Sequence, residues 1–164
     1  MNSLEIKHAL MYYFRFKRQW ICASECLNSD VMAITGKDII EVEVKINKYD
    51  LWKGEAKKSK HKKYKNLEDS YYKYAKIYTP TKFYICVPND LEEEAKKWVV
   101  SINDKYGIII CTKYRGFYPY SISILKKANR IHNVVNEELS HQIMKRVCSE
   151  NIGLIEGILR KNKS

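Results

Sequence analysis

The chain has 164 residues, of which 45% are hydrophobic and 30% charged, as expected for one globular domain with a core of its own. Its formal net charge of +11 at pH 7 favours a polyanionic partner, with nucleic acid ahead of an anionic membrane surface. No apolar run approaches the roughly 20 residues of a membrane span, and the N-terminus lacks a secretory pattern. The five cysteines are odd in number and mostly lie in apolar runs, so we predict reduced side chains in a cytoplasmic protein without a membrane segment.

The first predicted elements are a helix and a strand. Apolar residues recur at helical spacing from Leu4 to Phe16, and Ser3 precedes them as a predicted N-cap. The stretch from Trp20 to Cys26 has the composition of a strand. Glu25 lies just before the next strand and is a candidate for a further ligand or hydrogen bond at a site formed there.

A β-hairpin is predicted next, because two runs rich in β-branched residues flank the turn signal from Thr35 to Asp38. If the loop is the two residues Gly36 and Lys37, Asp30 falls directly opposite Glu43. Opposed residues of an antiparallel pair have Cβ atoms about 4.5–5.5 Å apart. The two-residue alternation of a strand also sorts the second arm into one face with Glu41, Glu43 and Lys45 and another with Val42 and Val44.

Opposed carboxylates repel each other unless a cation lies between them. Mg²⁺ takes oxygen ligands, often one or two carboxylates with water and substrate phosphate. A nearby lysine orients a metal-bound water or neutralises charge that develops on a phosphate. The arrangement of Asp30, Glu43 and Lys45 therefore predicts metal-assisted phosphodiester hydrolysis, while a solvated hairpin face with an incidental charge pattern is the alternative.

The segment after the hairpin is strongly basic. Between residues 53 and 65 seven lysines are opposed by Glu55 alone, and His61 and Tyr64 share one helical face beside them. Such a surface binds phosphates with an affinity that weakens with salt, although runs of like charge are also typical of solvated faces. The predicted nucleic-acid-binding residues are Lys48, Lys57, Lys58, Lys60, His61, Lys62, Lys63 and Tyr64. Further ligand or hydrogen-bond candidates at the rim are Glu41, Asn47 and Asp50, and Asp50 has the alternative role of capping the next helix.

The second half of the chain alternates helices with strands. A tyrosine-rich helix is predicted at 66–78, followed by a strand at 82–87 and a helix at 91–102 with three glutamates in its first turn. Strands at 108–112 and 120–125 follow. The pattern from Val134 to Leu159 predicts one or two amphipathic helices, with a break expected near 151–153, that either cover the sheet or form the seam of a homodimer.

Asp30, followed after the hairpin turn by Glu43-Val44-Lys45, resembles the signature of the PD-(D/E)xK nuclease superfamily. Within it the chain is similar to the branch of MmcB-like DNA repair proteins and related small phage-type proteins. The matching stretches, in order, are Asp30–Ile34, Glu43–Lys45, Asp50–Trp52, Lys60–Tyr64 and Lys126–His132, within residues 4–132. Ser29 stands where the name of the superfamily has proline, at a position that varies widely.

This resemblance implies an α/β fold with a restriction-endonuclease-like core over residues 1–132, a central mixed β-sheet flanked by helices, and residues 133–164 as a C-terminal helical extension of the same domain. It implies a DNA endonuclease dependent on Mg²⁺ (or Mn²⁺), in repair, recombination or phage DNA metabolism. Asp30, Glu43 and Lys45 would be catalytic, with Val44 adding a carbonyl ligand to the metal. Two alternatives remain at this point: a catalytically silent DNA-binding accessory protein of the same fold, and a protein whose positive charge only aids solubility.

Overall fold

A computed structural model describes residues 1–67, 79–115, 119–134 and 136–161. The predicted tyrosine-rich helix at 66–78 falls almost entirely outside these ranges. In the described part, six strands form one sheet in chain order: β1 Ile21–Cys26, β2 Ser29–Ile34, β3 Ile39–Val44, β4 Lys82–Pro88, β5 Gly107–Lys113 and β6 Tyr120–Lys126.

The sheet is mixed, and the direction of each strand follows from the length of the connection before it. β1, β2 and β3 pair antiparallel through short turns, as do β5 and β6. β3, β4 and β5 pair parallel, because long connections through helices return the chain to the same end of the sheet. The central strand β4 is almost wholly buried, as expected for a strand that is covered on both faces. The edge strand β6 alternates in exposure, as expected for a strand that is covered on one face.

Within the described ranges, four α-helices surround the sheet: α1 Ser3–Tyr12, α2 Ser59–Lys65, α3 Glu92–Ile102 and α4 Glu137–Lys161. One face packs on α1, where Ile6 and Leu10 contact Val42 and Val44 of β3. The opposite face packs on α2 and α3 around a buried aromatic group. Its members are Tyr64, Phe83, Trp98 and Tyr106.

The α-helices differ from the predictions in two places, one at the start of α1 and one inside α4. Asn2, and not Ser3, is the N-cap of α1, since its side chain accepts from the Glu5 N–H while Glu5 bonds back to Asn2. At the other end of the chain, α4 runs unbroken through residues 151–153, because a glycine inside a helix lowers its stability without ending it.

The two halves of α4 have different surroundings. Leu139 and Ile143 are buried against β1 and β2, whereas residues 151–161 are exposed throughout. None of the helices in the described ranges combines the length and apolar character needed to cross a membrane. The predicted α/β class, with a mixed sheet flanked by helices and a C-terminal helix, is confirmed.

Asp38, at the start of β3, ties three segments together. Its carboxylate lies 2.8 Å from the Lys82 ammonium and accepts a 2.8 Å hydrogen bond from Arg130 Nε. Partial burial opposes its ionisation, but these cations and the Thr81 hydroxyl outweigh burial and lower the pKa of Asp38. Asp38 therefore joins the hairpin turn to the start of β4 and to the segment after β6.

Asp38→Asn should lower the free energy of unfolding at pH 7 by about 2 kcal/mol, since hydrogen bonds to a charged group are lost. Because the folded pKa lies below the unfolded value of about 3.9, this contribution is present above that pH and is lost as pH falls through the folded pKa. Urea unfolding from pH 2.5 to 7 should show the two proteins converging in acid. The exposed Asp90→Asn is the control, and a constant difference at all pH values would contradict the assignment.

Candidate active site

The hairpin has the predicted register. The Thr35 N–H bonds to the Asp38 carbonyl at 2.8 Å across the loop Gly36-Lys37. Val31 pairs with Val42 and Met32 with Glu41. The paired residues end at Val31 and Val42, and continuing this register by one residue would set Asp30 opposite Glu43 at the end of the sheet where β3 and β4 finish.

Asp30 is held by a helix and by the neighbouring strand. Its Oδ2 accepts from the Val44 N–H at 2.8 Å, and its Oδ1 lies 2.8 Å from the Lys7 ammonium of α1. Partial burial opposes ionisation, but these bonds outweigh it and lower the pKa of Asp30. Lys7 also pairs with Glu25, so Glu25 reaches Asp30 through a shared lysine.

Glu43 is nearly inaccessible, with 1% of its surface exposed. Three ammonium groups surround it: those of Lys58 at 2.9 Å, Lys60 at 2.5 Å and Lys45 at 3.4 Å. Burial and the nearby charge of Glu55 raise the pKa of Glu43, although the lysines oppose that shift. Asp30 is therefore bound by Lys7, whereas Glu43 is bound by Lys45, Lys58 and Lys60.

Glu43 belongs to a buried ionic cluster of three carboxylates and three ammonium groups. Lys60 bridges all three carboxylates, lying 2.6 Å from Glu41 and 3.3 Å from Glu55 in addition to its contact with Glu43. Its members are Glu41, Glu43, Lys45, Glu55, Lys58 and Lys60. Because three negative charges meet three positive ones, the cluster is formally neutral.

Glu55 is the residue of this candidate site that the sequence pattern does not single out. It is fully buried and lies 2.8 Å from Lys58 and 3.2 Å from Lys45. Burial opposes its charge, but the hydrogen bond with His61 and the surrounding lysines hold its pKa far below the ordinary value. Its one sequence signal is that it is the sole acid in the lysine-rich segment 53–65.

His61 and Tyr64 lie inside the protein, so the predicted contact with nucleic acid does not fit them. Their shared face of α2 turns toward the sheet. His61 bonds to Glu55 at 3.0 Å and to the Tyr106 hydroxyl at 2.9 Å, and the Tyr64 hydroxyl donates to Glu41 at 2.6 Å. Both side chains brace the buried ionic cluster, and Lys60 is likewise engaged internally.

Other lysines of the basic segment do reach solvent. Lys57 and Lys62 are exposed and Lys63 is half-buried. Lys58 spans both settings, because 38% of its side chain is exposed while its ammonium contacts Glu43 and Glu55. The exposed part of the predicted phosphate-binding surface is therefore one side of α2 and the segment before it.

The rim of the site begins directly after β3. Lys45 lies 3.8 Å from the Asp50 carboxylate. The Asn47 side chain accepts from the Asp50 N–H at 2.7 Å, so Asn47 caps this turn, and the alternative role of Asp50 as the cap is wrong. Asp50 is thereby left to face Lys45 and the solvent.

The donors at this end of the sheet are oxygens, as a hard divalent cation requires. Asp30 and Glu43 supply carboxylates, and the Val44 N–H points toward Asp30, so its carbonyl lies on the same side of the strand. Each carboxylate already faces an ammonium group, however. Among the described residues no three His, Cys, Asp or Glu side chains surround a common metal position.

Comparisons of the chain with protein-family models, with curated proteins and with solved structures find no match. Membership of the PD-(D/E)xK superfamily therefore stays a prediction from the motif, and function has to be argued from the site.

Glu55→Ala should lower the free energy of unfolding by about 3–5 kcal/mol, because it leaves an unbalanced ammonium group in the interior. Glu93→Ala is the matched control, since Glu93 is 74% exposed and pairs only with Lys96 among the described residues. It should cost no more than about 1 kcal/mol. Urea unfolding at pH 7 measures both, and equal losses would show that the buried ionic cluster does not stabilise the fold.

Proposed function

We propose that this protein is a metal-dependent DNA endonuclease that hydrolyses phosphodiester bonds. The observation that carries the proposal is the hairpin register, whose continuation by one residue would set Asp30 opposite Glu43, together with the Lys45 ammonium 3.4 Å from Glu43. Three chemically complementary groups at one end of a sheet match the needs of phosphodiester hydrolysis. The motif resemblance and the net charge of +11 support DNA as the substrate.

In this proposal Asp30, Glu43 and the Val44 carbonyl hold Mg²⁺ or Mn²⁺. The cation would lower the pKa of a bound water and neutralise charge on the phosphate. Burial opposes the charge of Lys45, but the nearby carboxylates, Glu55 first, outweigh burial and raise its pKa. Lys45 is therefore an ammonium group at neutral pH, suited to orienting the water and stabilising the transition state rather than to accepting a proton.

A cation has to displace an ammonium group from Glu43. Lys58 is the best candidate, because its side chain is 38% exposed while that of Lys60 is 18% exposed and bridges three acids. Release of Lys58 would place its charge beside Lys57 and Lys62, where a DNA phosphate could bind it. Metal binding and phosphate binding would then support each other.

The second candidate is a catalytically silent DNA-binding accessory protein. The lysines of the buried ionic cluster favour it, since they already neutralise Glu41, Glu43 and Glu55 without a metal. Under this reading the exposed lysines of segment 53–65 bind the DNA backbone and the acids serve only the fold.

With Mg²⁺ or Mn²⁺, we expect the protein to cut single-stranded, duplex, nicked or branched DNA in a gel assay. Asp30→Asn and Lys45→Met should each lower the rate at least about 100-fold, the usual cost of removing a charge-stabilising group, while DNA binding by fluorescence anisotropy persists. Asp104→Ala, at an exposed acid, is the control, and circular dichroism verifies folding.

Three results separate the readings. Cleavage that survives both substitutions would reject the site, and DNA binding without cleavage by the wild type would favour the accessory protein. DNA binding unchanged between 50 and 500 mM salt would argue against a phosphate-binding surface.

We further propose that the outer half of α4 pairs with a second copy of the chain. Five aliphatic side chains there are 54–68% exposed, on the order of 500 Å² in each copy, which is close to what one partner of a small stable dimer buries. They are Ile152, Leu154, Ile155, Ile158 and Leu159.

Sedimentation equilibrium should give twice the chain mass for the wild type and the monomer mass for Ile155→Glu, since a buried carboxylate opposes pairing. Val100→Glu is the control, because Val100 is 78% exposed on α3, and it should remain dimeric. A monomeric wild type at 100 μM, or a dimer that tolerates Ile155→Glu, would overturn the pairing.

A further inference from the structure

A cleft lies beside the candidate active site. It has a volume of about 640 Å³ and is lined by Lys48, Tyr49, Trp52, Lys53, Glu94 and Lys97. It is wide and open to solvent, so it would cover one side of a ligand rather than enclose it. The cleft combines two aromatic rings with three lysines and one acid. This combination suits a nucleotide, which has a planar base and a phosphate, better than it suits a simple anion.

One of the two aromatic rings of this cleft is not explained by the core, and the other packs against the core only in part. Tyr49 is 76% exposed, so its ring is available to a ligand. Trp52 is half-buried, and its indole N–H donates to Glu94 at 2.9 Å, which fixes the orientation of the ring. A fixed indole beside an accessible phenol ring forms a stacking platform for a planar base.

The charges of the cleft suit a phosphate backbone next to that base. The side chains of Lys48 and Lys97 are about two-thirds exposed, and Lys53 is also exposed. Glu94 lies 2.9 Å from Lys48 and 3.6 Å from Lys97, so it positions two of the lysines as well as Trp52. Hydrogen bonds from Lys48 and Trp52 lower the pKa of Glu94 and keep this anchor ionised.

The cleft and the candidate active site share a rim. Asp50 lies between Tyr49 and Trp52 in the chain, and its carboxylate is 3.8 Å from the Lys45 ammonium. A DNA strand bound at Lys45 could therefore place its next nucleotide in the cleft, because the two sites adjoin.

We propose that this cleft binds one unpaired nucleotide of the nucleic-acid substrate, with Tyr49 and Trp52 stacking on the base and the lysines contacting its phosphates. The inference rests on the proposed function and adds a substrate class, namely DNA with single-stranded character. A fully paired duplex keeps its bases stacked inside the helix and would use only the backbone contacts.

Fluorescence anisotropy in EDTA, which prevents cleavage, tests the cleft with three labelled DNAs: a single strand, the same strand with abasic sites, and a blunt duplex of equal length. Tyr49→Ala should weaken binding of the single strand about tenfold, in line with the loss of one stacked base. It should leave the abasic strand and the duplex within about twofold. Phe16→Ala is the control, because Phe16 is 65% exposed and belongs to the α1 side of the sheet.

The outcomes separate this inference from the proposed function. Equal losses on all three DNAs, or no loss on the single strand, would overturn the nucleotide cleft while wild-type DNA binding and cleavage stand. Wild-type protein that binds none of the three DNAs at 50 mM salt would overturn both. A Tyr49→Ala protein that still cuts nicked duplex but no longer prefers single-stranded DNA would support the cleft and the nuclease together.

Discussion

The bridging of three buried carboxylates by Lys60 is the interaction on which the rest of the structure depends. Removing charges from water is costly, and only close opposite charges and hydrogen bonds compensate for it. The buried ionic cluster meets this condition by pairing Glu43 and Glu55 with three ammonium groups each and Glu41 with that of Lys60. The Tyr64 hydroxyl and the His61 ring add hydrogen bonds to Glu41 and Glu55. It joins β3 to α2 and to the turn before α2. The position of the basic segment is therefore set by acids on the strand.

The same cluster connects stability with the proposed chemistry. Glu43 and Lys45 serve in both, so the groups proposed to bind a metal and activate water also balance charge in the interior. A site of this kind is pre-organised, because its lysines hold the carboxylates in place before any ligand binds. Metal binding at this site also has a free-energy cost, since an incoming cation must replace an ammonium group. The partial exposure of Lys58 gives that exchange a route.

In the proposed function, different elements around the cluster would bind different parts of the nucleic acid. The ends of the parallel strands β3 and β4 lie where ligands commonly bind in α/β proteins. On one side α2 presents exposed lysines, and on the other the turn after β3 presents Tyr49 and Trp52. Backbone phosphates and an unpaired base would thus be met by different elements on either side of Lys45. Asp30, held by Lys7 of α1 and by the Val44 N–H, lies at the same end of the sheet.

The sequence by itself determined the hairpin register, the α/β class and the strands, because a two-residue turn and a period of two constrain pairing locally. It did not determine which face of α2 turns inward. His61, Tyr64 and Lys60 are adjacent to exposed lysines in the chain, and only the sheet beneath them decides that His61 and Tyr64 are buried and that Lys60 is 18% exposed. The burial of Glu55 and the replacement of Asp50 by Asn47 as the cap likewise depend on contacts made after folding. Local pattern specifies elements and their register, whereas the partners of long charged side chains are chosen by tertiary packing, since their charges interact with whatever the fold brings within a few ångströms.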